Sequence, residues 1–256
     1  VRSEAKGRMM TATAKAEPNR AIAFDAPEAR REIGWPVIAA ILIGFPAFFY
    51  GWAQILLHRD AFTVPGLDFF VTFWIATSIV YAAKILIVKQ VLDGHGWSLE
   101  DLGLPGAKSR RKIVLIYASL ALVTFVGLEV VMRMVPLDPA KLRELPGLYP
   151  ETSAKRAALL LLAFFTGISE ELTYRGFAIS ALVRKGINRW LAVGLAAFPF
   201  VFQHGLKIFA QFWWFLGNGL ALGALYVFSR RLMPPMVIHW GIIWLALLGP
   251  LAATAD

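Results

Sequence analysis

The chain has 256 residues, 58% of them hydrophobic, no cysteine and a net charge of +9, with a mean hydropathy of +0.60. Soluble domains are roughly 45–50% apolar, so this composition marks a multispanning membrane protein. The lack of cysteine excludes disulfides, thiol catalysis and thiolate metal sites, and the basic residues are scattered between apolar runs rather than gathered into a nucleic-acid patch.

Residues 1–34 carry seven Lys/Arg and no apolar run of about 7–15 residues, so they read as a mobile cytoplasmic arm and not as a secretory signal. Val1 points to a non-Met initiation codon or a trimmed start, with Met9 and Met10 as alternative starts. Pro27 to Ile33 reads as a helix lying on the membrane surface.

The remainder, 35–256, reads as an all-α membrane domain. Seven apolar segments have lengths near the ~20 residues that cross a bilayer: Trp35–Leu57, Phe69–Val88, Ile113–Met132, Ala157–Leu182, Trp190–Phe209, Phe212–Ser229 and Pro234–Ala252. An eighth, re-entrant piece is compatible with the pattern. Lys/Arg in the connecting segments are concentrated on the side of the N-terminus, which by the positive-inside rule predicts a cytoplasmic N-terminus and a C-terminus on the opposite side of the inner membrane.

Between the second and third segments, Ser98 with Asp101 three residues on resembles a capping box opening a short interfacial helix. Lys84, within the second segment, is expected to snorkel or to pair with an acid on a neighbouring helix. In the third, Glu129 and Arg133 are four apart and are expected to pair with each other. The fourth ends in Glu170-Glu171-Leu172-Thr173-Tyr174-Arg175-Gly176, with a bend or break expected near Gly176. Ionisable residues at that depth are costly and mark a functional site by default. On a helix Glu171 and Arg175 share a face with the acid N-terminal, the preferred order, whereas Glu170 lies about 100° away. Arg175 can then neutralise Glu171 and leave Glu170 for other work. These residues alone leave both a structural ion cluster and a catalytic site open.

The fifth segment supplies Phe200 and His204 on one predicted helical face, with Pro199 bending the helix just before them. Gly219 and Gly223 in the sixth form a GxxxG that lets another helix approach closely. The seventh contributes His239. Two intramembrane histidines with a carboxylate pair are seldom required by packing.

Glu170-Glu171-x-x-x-Arg175, Phe200-x-x-x-His204 and the later His239 together resemble the three motifs of the CAAX-protease and bacteriocin-processing (CPBP, Abi) family of intramembrane endopeptidases. The resemblance runs from 157 to 243. It implies a glutamate-dependent peptidase in which Glu170 is the general base acting on a water, His204 holds that water, and His239 donates to the oxyanion. Glu171, Arg175 and Phe200 would be supporting. No cofactor is implied; the alternative, a zinc-type two-His-one-carboxylate site, would use the same Glu170, His204 and His239, but the second carboxylate and its arginine fit a protonatable base better. The partner would be a membrane-associated peptide or protein in the bilayer. One position departs from the pattern. The family's third motif carries Asn or another polar residue four after the histidine, and here that residue is Ile243. Either Asn218, Gln203 or a backbone group replaces it, or the protein is a catalytically silent partner-binding subunit. A second expectation follows from straight spans: His239 would lie near the cytoplasmic face and His204 past the midplane, so the two converge only if the fifth segment is bent or starts late.

Overall fold

The computed structural model describes residues 31–106, 152–205 and 208–253, with scattered helical positions between 109 and 130. Residues 1–30 of the N-terminal arm, most of the third apolar segment and the Glu129–Arg133 pair lie outside the described residues, whereas the end of the arm is neither helical nor free: Arg31 N donates to His95 O at 3.2 Å and Ile33 is buried in the core.

All regular structure among the described residues is helical: α1 (Trp35–Leu57), the single turn α2 (Arg59–Phe62), α3 (Phe69–Gly94), α4 (Ser153–Glu170), a π-helical segment (Glu171–Ile179), α5 (Ser180–Arg184), α6 (Arg189–Phe202), α7 (Ile208–Ser229) and α8 (Met233–Ala253). Four stretches are long and apolar enough to cross a bilayer: α1, α3, the continuous run Ser153–Arg184, and Gln211–Ser229 of α7. Helices solve the membrane problem because they satisfy every backbone group internally. Their starts follow local chemistry. Pro36 sits in the first turn of α1, where its missing N–H costs nothing. Asp68 caps α3 by accepting from Val71 N at 3.0 Å, and Thr152 caps α4 through Lys155 N at 3.3 Å. Asp68 also pairs with Lys155 at 3.7 Å, tying the starts of α3 and α4 together.

The run Ser153–Arg184 is the most enclosed of the four, with 56% of its apolar window buried against 22–33% for the others. It is the axis of the bundle. Around it, the start of α1, the end of α3, α5, the end of α7 and the start of α8 pack one continuous apolar core through Ile38, Leu92, Leu102, Phe177, Tyr226 and Leu232. The GxxxG of α7 packs on α6: a Cβ at Gly219 would lie 3.1 Å from Ala197 Cβ, and one at Gly223 only 2.7 Å from Val193 Cγ1. That is the close approach the motif predicts.

Three expectations are corrected. The run is not broken at Gly176; it continues as a π-helical stretch into α5. Ser98–Gly103 forms a turn and no helix. Asp101 does accept from Ser98 N at 2.6 Å, but Ser98 Oγ also donates to Asp101 at 2.8 Å, so the hydroxyl caps no backbone amide there. Gly103, at φ +78°, lets this turn press onto the α7–α8 connection, where its carbonyl accepts from Leu232 N at 3.3 Å. Finally, α6 stops at Phe202 instead of running to Phe209, and is too short to span a bilayer in the manner of the four long runs.

Candidate active site

The site begins where α4 passes into the π-helical segment. This i→i+5 geometry is rare and recurs at functional positions. All nine of its residues are buried. Gly176 is pressed from one side by Leu102 and Leu232, within 3.1–3.2 Å of where a Cβ would sit. The turn after α3 and the start of α8 thus hold the segment in place.

Glu170 and Glu171 are fully buried, and both reach His239. Glu171 Oε1 lies 2.7 Å from His239 Nδ1, and Glu170 Oε2 lies 3.4 Å from His239 Nε2. The wider turn that follows Glu170 lessens the angular divergence assumed for a plain α-helix. Arg175 stays with Glu171 at 2.9 Å, as its spacing predicts. The contact is a close ion pair whose Nη1 makes no aligned hydrogen bond; Nη2 reaches the carbonyls of Asn218 and Gly219 at 3.4 Å. The guanidinium lies 4.3 Å from the Phe200 ring centroid, so Phe200 packs against the cation.

Helix α8 approaches α4 closely because Gly167 offers no side chain. A Cβ there would overlap the indole of Trp240, the residue that follows His239, and that indole stacks on Phe164 at 5.7 Å.

His204 does not continue the helix of Phe200. It sits in a turn beyond the end of α6, with its N–H on Val201 O at 3.1 Å. Gly205, at φ +61°, turns the chain against Ala53 of α1. The ring is held by Nδ1 on Phe200 O at 2.8 Å and by stacking on Phe215 at 3.9 Å. Its Nε2 lies 3.9 Å from Glu170 Oε2. The early stop of α6 is therefore how the histidines converge. Asn218 is not among the groups brought together: its Nδ2 donates to Trp214 O on its own helix at 2.7 Å.

Helix α3 adds two groups. Tyr81, which sequence reasoning missed, donates its hydroxyl to Glu170 Oε1 at 3.0 Å; a tyrosine in an apolar run carries no local signal of such a role. Lys84 neither snorkels nor meets an acid. It is buried and donates to the amide oxygen of Gln203 at 2.8 Å, with the rings of Phe45, Phe49, Tyr81 and Tyr174 4.6–5.8 Å from Nζ. An amide oxygen and aromatic rings both favour a cation, and this buried setting replaces the ion pair expected.

Glu170 Oε2 is left without a hydrogen-bond partner among the described residues, between two imidazole Nε2 atoms. An acceptor so placed can take a proton from a water lying between it and His204. His239, held from behind at Nδ1, offers Nε2 to a developing negative charge. No group of three or more His, Asp or Glu among the described residues has the arrangement of a metal centre, so no step is assigned to the zinc-type alternative.

Residues 152–245 match the family model described as Type II CAAX prenyl endopeptidase, Rce1-like. Neither curated proteins nor solved structures yield a match. The matched stretch contains all three motifs and bears out the resemblance read from them.

Proposed function

We propose that this chain, whose residues 152–245 match the Rce1-like Type II CAAX prenyl endopeptidase model, is an intramembrane endopeptidase that hydrolyses a peptide bond of a membrane-associated, prenylated peptide or protein. The observation that carries the reading is Glu170. Its carboxylate is fully buried, one oxygen is held by Tyr81 at 3.0 Å, and the other, unpartnered, faces Nε2 of His239 and of His204 at 3.4 and 3.9 Å. In this mechanism Glu170 Oε2 takes a proton from a water oriented by His204, and the water oxygen bonds to the scissile carbonyl carbon. His239 Nε2 donates to the resulting oxyanion while Glu171 at Nδ1 compensates charge on the ring. As the C–N bond breaks, the proton on Glu170 passes to the leaving amine. The same reading makes it a multispanning bundle whose crossings include the four long apolar runs among the described residues, with the N-terminus cytoplasmic and the C-terminus on the other side of the inner membrane.

The test uses the full chain in detergent and a fluorogenic peptide ending in a prenylated Cys-aliphatic-aliphatic-X sequence. Glu170→Gln is expected to abolish cleavage while keeping helicity and a cooperative thermal melt. Undiminished cleavage by that variant would overturn the base assignment. Ile243, in place of the polar residue of the third motif, favours a second reading, a silent family member that binds a membrane partner. That reading predicts no cleavage by wild type and no difference in membrane peptides between cells carrying wild type and Glu170→Ala.

A further inference from the structure

An oxyanion is best held by two donors, and Ile243 removes the one that would stand four residues after His239. Gln203 has the property that Ile243 lacks. Its side chain is buried and its Oε1 accepts twice, from Lys84 Nζ at 2.8 Å and from the Tyr174 hydroxyl at 2.8 Å. A lysine ammonium carries donors only, so the oxygen must face it and the amide orientation follows from chemistry. The other end, Nε2, is buried and has no partner among the described residues. A buried N–H₂ left without an acceptor is unfavourable and calls for a reason. Asn218, the other amide in reach of the motifs, has its Nδ2 engaged by Trp214 O.

The groups that grip Gln203 belong to the elements that hold the proposed base. On α3, Tyr81 takes Glu170, and Lys84, three residues later, takes Gln203. On the π-helical segment, Tyr174 takes Gln203 three residues after Glu171. The two anchor points on α3 are separated by about 5 Å of helix rise, and Gln203 directly precedes His204.

We propose that Gln203 Nε2 is the second donor to the oxyanion of the scissile carbonyl, standing in for the amide absent at Ile243, and that Lys84 is the positioning residue that keeps the donor end of this amide free for substrate. The inference rests on the proteolytic reading above and deepens it.

The experiment is steady-state cleavage of the prenylated peptide by Gln203→Glu. This isostere keeps the oxygen that Lys84 and Tyr174 hold and removes the N–H₂. The expected result is a fall in kcat of about 10²-fold, with KM unchanged and a lowered melting temperature, since a third buried carboxylate exceeds the charge that Arg175 and Lys84 supply. Gln203→Met, which brings no charge, should show the same kcat loss and serves in place of the first variant if that one fails to fold. Adding Ile243→Asn to either variant should recover at least about tenfold in kcat, because it restores an amide donor four residues after His239. Full kcat in both Gln203 variants, or a loss that Ile243→Asn leaves untouched, would overturn the proposal. Glu170→Gln is measured beside them. If it cleaves like wild type, the proteolytic reading falls and takes this inference with it; if cleavage depends on Glu170 but not on Gln203, only the inference falls.

Discussion

His239 stands between the two adjacent glutamates, with Nδ1 2.7 Å from Glu171 and Nε2 3.4 Å from Glu170. Glu171 therefore does two things, compensating Arg175 and fixing the imidazole that faces the proposed base. Glu171→Gln separates them. The amide oxygen can still accept from His239, but the carboxylate charge beside Arg175 is gone. Breaking a buried pair by removing one partner costs about 3–5 kcal/mol, here reduced because Arg175 also reaches two backbone carbonyls. A clear drop in melting temperature with residual cleavage is expected. A thermal-melt series in which Glu171→Gln and Arg175→Ala both match wild type would remove the ion pair from the account.

Tyr81→Phe tests the orientation of the base. The ring keeps its stacking on Phe49 at 4.5 Å, so the fold should survive, while Glu170 Oε1 loses its donor and the carboxylate gains freedom to turn. A fall of about tenfold in kcat with KM unchanged is expected, since loss of orientation acts on the reaction step. Equal kcat in the two proteins would show that Tyr81 does not orient Glu170.

Gly167 governs how close α8 comes. Any Cβ there overlaps the Trp240 indole, so Gly167→Ala should push Trp240, and His239 with it, away from Glu171. Overpacking of this kind costs about 1–3 kcal/mol, but displacement of His239 should reduce cleavage further than the stability change implies. Trp240→Leu on the Gly167→Ala background frees the space, and cleavage should recover relative to Gly167→Ala alone. If the second change gives no recovery, the contact does not set the position of His239.

How far these features could be read beforehand depends on the range of the interaction. The bounds of α1 and the start of α3 were legible because an apolar run, a proline or a cap is a local signal. So was the GxxxG packing, since its spacing alone puts two small residues on one face. The convergence of Glu170, His204 and His239 was suggested by motif order, but its geometry was not: the stop of α6 at Phe202 and the π-helical turn after Glu170 come from packing against α1, α7 and α8. Nothing in Glu171-Leu172-Thr173-Tyr174 distinguishes an i→i+5 turn from an ordinary one. Lys84 announced itself as a buried charge in an apolar run. Its partner, an amide 119 residues away in sequence, did not.

The buried charges also predict a coupling. Glu170 and Glu171 contribute two negative charges, and Arg175 and Lys84 two positive ones, in a region where unbalanced charge is expensive. Lys84 and Glu170 are joined through Tyr81, whose hydroxyl holds the carboxylate and whose ring centroid lies 5.8 Å from Nζ. Lys84→Met should therefore destabilise the protein by leaving the carboxylates in excess and the Gln203 oxygen short of a donor. Glu170→Gln on the same background removes the excess, so the double variant should be more stable than the sum of the two single changes, by about 1 kcal/mol or more. Chemical or thermal denaturation in one detergent gives the four stabilities of the cycle. Strict additivity would show that Lys84 does not balance Glu170 and serves only to hold the Gln203 amide.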